Sequence, residues 1–451
     1  MKKFLALALS VCLTAAVVIG CGSTPAPAPS QAASAASTPA AASAAGLQPA
    51  DGPVELSLSW WGGDARHEAT QKAVDAFTTK YPNITVKTNY GAWTGWEDTM
   101  STALYAGTAQ DVDQVNWNWI FNYDNDGKTF VDLNTLSDYI DLTQFNEAAL
   151  AQCTVNGRLT AIPVAMTGRI FYWNQTTFDE AGIATPTTFD ELLAAGETFK
   201  TKLGEEYYPL AMNQLDRMIF MVWALECEYG KDWVVDGKLN YSQAEIEDGL
   251  ALISQLEEAH VIPTMEKVLG DGAESFDKNP KWMEGKYAGI FEWDSSATKM
   301  QAALNEGQEF VVGEFLTGFG DYKGGFTKVS LGFSIAESAE YPVESAMLIN
   351  FLLNEEEGVK LMASERGIPL SKVALQICTD NDLLNPIVAE ANGKVLAWCE
   401  YNLDPTFEDA KLKSTDGVYY DVMDGLSYGD YDLAEAASIL IEGIEATLAA
   451  A

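Results

Sequence analysis

Residues 54–90 constrain the fold most, because a strand, a helix and a second strand are predicted there in direct succession. Every second residue from Val54 to Trp60 is apolar, which predicts a strand with one buried face. Gly62 and Gly63 end this strand, and Asp64 is placed to cap a helix that stops at Tyr81–Pro82. The segment "NITVKTNY" then predicts a second strand. The resulting β-α-β unit favours a parallel sheet in an α/β protein.

Further strand and helix patterns continue along the chain to its last residues. A short strand is expected before Asn116 in "TAQDVDQVNWNWIFN", and Thr188 is placed to cap a helix in "PTTFDELLAAGETF". Longer helices are predicted over residues 243–259, 341–362 and 432–448. We find no repeat of solenoid period, so the chain is expected to form α/β domains rather than an array.

The N-terminus has the pattern of an export signal. Lys2 and Lys3 precede an apolar run from Phe4 to Ile19, and "VIGC" follows with Cys21 as its last residue. We expect residues 1–20 to be a signal peptide and Cys21 to carry the lipid of a lipoprotein. The alternative is an uncleaved N-terminal anchor. Both interpretations place the protein outside the cell, held at the outer face of the cytoplasmic membrane by this end alone.

Residues 21–52 differ in composition from everything that follows. They are nearly all Ala, Ser, Pro, Thr and Gln, a composition that buries too little surface to fold, so we expect a flexible linker. The formal net charge of the whole chain is -38. Nucleic acid and anionic lipid surfaces would both be repelled by such a charge, so neither is an expected partner.

Cysteine and metal-ligand patterns give no sign of a cofactor. Beyond the linker the chain has four cysteines that could form two disulfides or remain free thiols, at positions 153, 227, 378 and 399. None has the spacing of a zinc site, and the chain has only two histidines. "NYDNDGKTF" resembles the start of a calcium loop, but its twelfth position is Leu133 instead of glutamate, which favours a solvated turn. We expect no metal and no cofactor.

The order of these segments resembles the sugar-binding and oligosaccharide-binding proteins of ABC transporters, the family of maltose-binding protein. The resemblance rests on "LSWWGGDARHEATQKAVDAFTTKYPNITV", "AGTAQDVDQVNWNWI", "GRLTAIPVAMTGRIFYWNQTTFDEAGIATPTTFDELLAA", "KWMEGKYAGIFEW" and "SERGIPLSK". It implies a bilobed α/β fold of the periplasmic-binding-protein type, with a hinge and a ligand cleft between two α/β domains. Lobe 1 is expected over residues 53–163 plus 330–368, and lobe 2 over residues 164–329 plus 369–451.

The resemblance also implies a function. Members capture a sugar or oligosaccharide between the lobes and deliver it to the transmembrane subunits of an ABC permease, without catalysing a reaction. We therefore expect a monomeric, non-enzymatic carrier with a carbohydrate ligand. The chain would cross between lobes near residues 162–165, 327–333 and 368–374.

Tryptophans near predicted loops support a carbohydrate ligand, because the apolar face of a sugar ring stacks on an aromatic side chain. Trp60 continues the buried alternation of its strand and is assigned to the core. The candidates for ligand contact are Trp61, Trp93, Trp117, Trp119, Trp223 and Trp293. Trp293 matches the family's usual aromatic platform.

The polar candidates are those that could bind sugar hydroxyls. Gly63 and Asn116 follow predicted strands, and Asp64 is either a ligand contact or the helix cap described above. Thr167 and Arg169 lie where the chain would enter lobe 2, and burial of Arg169 in an apolar strand requires a ligand hydroxyl or a carboxylate partner.

Six further positions leave alternatives open. Asp216 and Arg217 are either ligand contacts or an exposed pair at a helix start. Asp294 and Glu226 are possible contacts only. Of the neighbouring pair Tyr419 and Tyr420, one is expected to face the cleft, with Tyr419 chosen as the candidate.

Two other functions remain as alternatives. A solute-binding protein for a peptide or a polyamine would suit the acidic chain, although the tryptophans favour a neutral, ring-shaped ligand. A surface-anchored glycoside hydrolase would use similar aromatic residues together with two carboxylates. The ordered α/β segments argue against that enzyme.

Overall fold

The computed structural model describes residues 47–450, apart from positions 94, 125 and 274. The predicted signal peptide, Cys21 and nearly all of the linker lie outside these residues. The strands are β1 Val54–Trp61, β2 Ile84–Gly91, β3 Val112–Asn116, β4 Thr154–Val155, β5 Arg158–Leu159, β6 Ile162–Thr167, β7 Arg169–Asn174, β8 Val234–Val235, β9 Lys238–Leu239, β10 Gly289–Trp293, β11 Phe310–Val312, β12 Phe326–Ile335 and β13 Tyr401–Asn402.

Helices make up most of the remaining regular structure. They are α1 Asp64–Lys80, α2 Trp96–Ala106, α3 Trp119–Tyr123, α4 Glu147–Gln152, α5 Gln175–Ala181, α6 Phe189–Lys202, α7 Gln214–Tyr229, α8 Gln243–Glu258, α9 Met265–Gly270, α10 Pro280–Met283, α11 Ala297–Ala302, α12 Pro342–Asn354, α13 Glu356–Met362, α14 Lys372–Asp380, α15 Pro386–Trp398, α16 Ala410–Lys413, α17 Val418–Tyr428 and α18 Leu433–Leu448.

The predicted β-α-β unit is present and forms one edge of the larger sheet. In this six-stranded sheet β1 pairs in parallel with β2 and with β3, while β12 runs antiparallel to β3 and to β6. The sheet is therefore mixed rather than purely parallel. The carboxyl ends of β1 and β3 lie at the same edge, where loops form ligand sites in α/β proteins.

The smaller sheet is entirely antiparallel, with the order β10-β7-β11. Aromatic side chains fill the core beside it: Phe171 lies 5.4 Å from Trp223 and 4.7 Å from Phe291, centroid to centroid. The fold is thus an α/β fold with two main sheets and two short hairpins, β4-β5 and β8-β9, in agreement with the predicted fold class.

Gly168 joins the two sheets, because it is the single residue between β6 of the larger sheet and β7 of the smaller one. A Cβ atom at this position would lie 2.6 Å from Cγ1 of Val395 and 2.9 Å from the carbonyl oxygen of Phe326. Neither distance is compatible with van der Waals packing. The chain can pass between the sheets here only because the residue has no side chain.

Two of the three long helices have the predicted extent, and one does not. Helix α8 begins after Ser242 in a capping box, and α18 begins after Asp432 in another. Residues 341–362 form two helices, because Glu355 between them adopts an extended backbone with ψ of 139°. Thr188 caps α6 as predicted, and Glu191 completes that capping box.

All four cysteines of the described chain are free thiols, so of the two alternatives, disulfides or free thiols, the structure has free thiols.

The turn that resembles a calcium loop is held by other contacts. Oδ1 of Asp124 accepts from the backbone N–H of Thr129 at 2.8 Å, and Oδ2 pairs with Arg158 at 3.1 Å. Within residues 47–450, at the positions described, no helix has the length and hydropathy to cross a membrane.

Candidate ligand-binding site

Three tryptophans meet at the carboxyl ends of β1 and β3: Trp61 is the last residue of β1, Trp93 lies in the loop after β2, and Trp119 is the first residue of α3. The ring of Trp61 lies 5.1 Å from Trp93 and 5.3 Å from Trp119, and the rings of Trp93 and Trp119 are parallel at 5.8 Å. Trp119 is fully buried and donates its Nε1–H to Glu97 at 2.9 Å, whereas Trp93 is 44% exposed. The buried rings hold Trp93 in place with a large part of its surface facing solvent.

The helix after β1 begins differently from the prediction. Gly63 is the N-cap of α1, with an extended backbone and no side chain, and Asp64 is the first helical residue. The assignment of Asp64 as the cap was therefore wrong. Because no side chain caps this helix, the first-turn N–H groups of α1 lack a side-chain acceptor at the edge of the Trp cluster.

A buried polar network connects the end of β3 to β12. Nδ2 of Asn116 donates to Asn118 at 2.5 Å and to Glu408 at 3.4 Å, and Lys328 of β12 forms an ion pair of 2.5 Å with Glu408. Burial alone would raise the pKa of Glu408, but Lys328 and Lys413 lower it to about 2. Glu408 is therefore ionised at physiological pH.

Trp293, the last residue of β10, lies between two cations. The guanidinium carbon of Arg169 is 4.9 Å from the centroid of its ring, and Nζ of Lys328 is 4.8 Å away. Such contacts stabilise both partners when they are shielded from water. Trp293 is half-buried, so part of its side chain remains accessible beside these two cations.

Arg169 has the carboxylate partner that the sequence required. Its Nη1 donates to Asp216 and to the carbonyl oxygen of Phe291, and both members of the ion pair are buried. Burial raises the pKa of Asp216, and the charge of Arg169 opposes this rise. Asp216 also completes the capping box of α7. It is therefore neither part of an exposed pair at a helix start nor a carboxylate left free for a ligand. Arg217 is buried as well and pairs with Glu257.

Thr167 and Asp294 contact each other rather than open space. Oγ1 of Thr167 donates to Asp294 at 2.5 Å, and Asn392 donates to the other carboxylate oxygen at 2.6 Å. Burial raises the pKa of Asp294 to about 6. This cluster joins β6, α15 and the turn after β10 beside the Gly168 junction.

Three of the predicted residues lie inside cores. Trp223 is 1% exposed and packs within the aromatic core of the smaller sheet, and Tyr419 is fully buried. Trp117 is also buried, with its Nε1–H donated to the carbonyl oxygen of Gln152. The structure brings none of the three to the Trp cluster, and they offer almost no surface to a ligand.

Tyr420, the other member of the predicted tyrosine pair, is partly exposed, and its pKa is raised by burial and then by Asp216, which places it near the Arg169 pair. Lys328 and Glu408 were missed. Lys328 could have been found by the argument used for Arg169, because it is also a cation within an apolar strand. Glu408 could not, since its partner is 80 positions away.

Comparison with known proteins agrees with this architecture. A family model described as "Bacterial extracellular solute-binding protein" matches residues 72–384. The chain belongs to this family. A curated protein of Brucella abortus (strain 2308), named "Putative binding protein", is 25% identical over 155 residues. That alignment spans 33% of the chain and only 37% of the Brucella protein.

Solved structures cover far more of the chain. A periplasmic oligogalacturonide-binding protein of Yersinia enterocolitica, in complex with saturated digalacturonic acid, is 34% identical with a TM-score of 0.83. A periplasmic solute-binding protein of Pectobacterium atrosepticum is 32% identical with a TM-score of 0.84. Each match covers 88% of this chain and 99% of the other. A de novo designed cysteine esterase is 33% identical over 88% of this chain and 98% of the other, with a TM-score of 0.75.

Proposed function

We propose that this protein is the extracellular substrate-binding component of an ABC importer and that it captures a sugar or oligosaccharide between two lobes. Lobe 1 is assigned to residues 53–163 plus 330–368 and lobe 2 to residues 164–329 plus 369–451. The closed form makes contacts with the ligand from both lobes, so ligand binding favours closure. The closed complex then delivers its ligand to the membrane permease.

The observation that carries the proposal is the exposed ring of Trp93 on its buried support. An aromatic face held rigidly by Trp61 and Trp119 suits the apolar face of a sugar ring, and it loses little conformational entropy on binding. The oligosaccharide ligand of the Yersinia relative supports the same class of ligand here.

The protein acts without chemistry in this proposal. A cysteine esterase requires a reactive thiolate, and burial raises the pKa of each of the four thiols in the described chain, which disfavours that form. The similarity to a designed esterase therefore does not identify a cysteine nucleophile in the described part of this chain.

The location follows from the N-terminal pattern. Cys21 carries the lipid, residues 22–52 form the spacer, and the folded part acts as a monomer at the outer face of the cytoplasmic membrane. Cys21→Ser is expected to release the protein into the culture medium, measured by fractionation. Retention in the membrane fraction would instead support the uncleaved anchor.

A thermal-shift screen tests the ligand class. A ligand that binds only the folded state raises the unfolding temperature in a saturable way. The panel contains neutral and acidic oligosaccharides, peptides and polyamines. We expect a shift with one family of glycans, and a shift with a peptide or polyamine alone would contradict the carbohydrate assignment.

Variants at exposed aromatic residues test the site. Trp93→Ala is expected to weaken glycan binding by about 1–3 kcal/mol, because it removes an aromatic anchor and almost no core packing. Tyr428→Ala is the matched control, since Tyr428 is 49% exposed on α17. Calorimetry measures both affinities. Equal affinities of the wild type and Trp93→Ala would remove Trp93 from the site.

A further inference from the structure

Two arginines beside the Trp cluster form no ion pair with a carboxylate in the part of the chain that the structure describes. The chain has five arginines, and Arg158, Arg169 and Arg217 each form an ion pair. Arg66 and Arg366 form none with the residues that the structure describes. This is unusual in a chain with 65 acidic residues, because a nearby carboxylate is easily supplied.

The contacts of these two guanidinium groups are with neutral acceptors. Arg66 donates from Nε to the carbonyl oxygen of Glu365 at 2.9 Å and from Nη1 to that of Trp61 at 3.2 Å. Arg366 donates from Nε to Oε1 of Gln114 at 2.8 Å, and Gln114 in turn donates to the carbonyl oxygen of Trp61 at 3.2 Å. The side chains of Arg66, Arg366 and Gln114 are thus connected through the carbonyl group of Trp61, and we call this arrangement the Arg66–Arg366 site.

Arg366 is the more unusual of the two. It is 3% exposed, and its Nη2 has no hydrogen-bond partner in the described chain. Burial and the neighbouring charge of Arg66 lower its pKa well below the usual value, and burial lowers that of Arg66 to about 10, although the negative charge of Glu365 opposes both shifts. A buried cation with an unused donor and a like charge beside it is costly, and Glu365, which forms no ion pair with either arginine in the described chain, offsets this cost only in part.

The position of the site connects it to the proposed ligand cleft. Arg66 belongs to the first turn of α1, whose N-cap Gly63 supplies no side chain, and Trp61 belongs to the Trp cluster. Next to Arg366, a Cβ on Gly367 would meet Cβ of Ser295 at 3.9 Å. Ser295 lies two residues after Trp293. The Arg66–Arg366 site therefore lies between the aromatic surface of the larger sheet and the turn that follows β10.

We propose that the Arg66–Arg366 site binds a carboxylate carried by the sugar ligand, so that the protein selects acidic, uronate-containing oligosaccharides over neutral ones. This inference rests on the proposed function. The Nη2 groups of Arg66 and Arg366 donate to no residue that the structure describes, and charged N–H donors of this kind suit the oxygens of a carboxylate. The N-terminus of α1 favours negative charge at the same place, and Asp64 of the first turn supplies part of it in the free protein. Trp93, beside this site, supplies the surface for the ring that bears the carboxylate.

The test compares a uronate with the same sugar lacking its charge. Calorimetry with the full chain measures affinity for digalacturonic acid and for its methyl diester. We expect the acid to bind at least about tenfold more tightly, the scale of one charge-assisted hydrogen bond. Equal affinities for acid and ester would overturn this inference and leave the carbohydrate function intact. Failure to bind any glycan would instead overturn the proposed function.

Variants separate recognition of the carboxylate from stability. R66Q is expected to reduce the preference for the acid to about twofold or less while affinity for the ester stays unchanged. K72Q is the matched control, because it removes one positive charge from the exposed face of the same helix. R366K keeps the buried charge but loses the planar donors, and a folded R366K is also expected to lose the preference.

Two further outcomes would contradict the proposal. One is an unchanged preference for the acid in R66Q. The other is equal stabilisation by inorganic phosphate or acetate at the concentration used for digalacturonic acid, since this would show a site for free anions. Competition by these ions only at far higher concentration supports a site for a carboxylate that is joined to a sugar.

Discussion

A buried carboxyl in the larger sheet makes the stability of this protein depend on pH. Asp113 of β3 is 1% exposed, accepts from Oγ of Ser59 at 2.5 Å, and has no partner for Oδ2 among residues the structure describes. Burial raises its pKa from 3.8 to about 7. At pH values between these two pKa values, Asp113 is therefore protonated in the folded protein and ionised in the unfolded chain.

The sign and size of the effect follow from this difference in pKa. Because the folded state binds more protons, the free energy of unfolding falls as pH rises from about 4 to about 7. A difference of about 3 pKa units, at about 1.4 kcal/mol each, lowers the free energy of unfolding by about 4 kcal/mol at pH values above this range. Asp113→Asn removes the titration but leaves an amide N–H without a partner, which costs about 1–2 kcal/mol.

We therefore expect Asp113→Asn to be about 2–3 kcal/mol more stable than the wild type at pH 8, and equal to it or slightly less stable at pH 5. Urea unfolding at both values measures the difference. Asp75→Asn, at an exposed position of α1, is the control for the loss of one acidic group. A variant that is no more stable than the wild type at pH 8 would refute the reasoning.

Two further predictions concern strain and a buried ion pair. Arg169→Met leaves the buried carboxylate of Asp216 without its partner and should lower the free energy of unfolding in urea by about 3–5 kcal/mol. Asp216→Leu in the same chain should restore only part of this loss, because Asp216 also completes the capping box of α7. A loss below about 1 kcal/mol in Arg169→Met would show that the pair contributes little. Ala363 has φ of 44° and ψ of -132°, so Ala363→Gly should stabilise the protein by about 1 kcal/mol, seen as a higher unfolding temperature, and a lower temperature would contradict the assigned strain.

The local elements could be predicted from sequence because their periods are local. Alternation from Val54 to Trp60 and the helix that follows were enough for β1, α1 and β2. The start of α1 was misplaced because two residue types compete there: glycine adopts the extended N-cap backbone, which moves Asp64 into the first turn. No glycine or proline marks the break at Glu355, so nothing local predicted it.

The candidate site was only partly visible, because it is built from distant segments. The need of Arg169 for a carboxylate was evident, but not that Asp216 would supply it. Trp223 was assigned to the ligand although α7 is apolar on nearly every face, and this pattern indicates a helix buried all round. Only the three-dimensional structure shows that Arg66 and Arg366 form no ion pair with the described residues.

Capture of an oligosaccharide and the absence of a reaction on it can be tested in one experiment. The full chain is incubated with an isotopically labelled oligosaccharide from the family that responds in the thermal-shift screen, and bound ligand and released products are measured in the same sample. We expect one equivalent of bound, intact oligosaccharide per chain, with no shorter products after prolonged incubation. Shorter products, or the absence of saturable binding, would contradict this expectation.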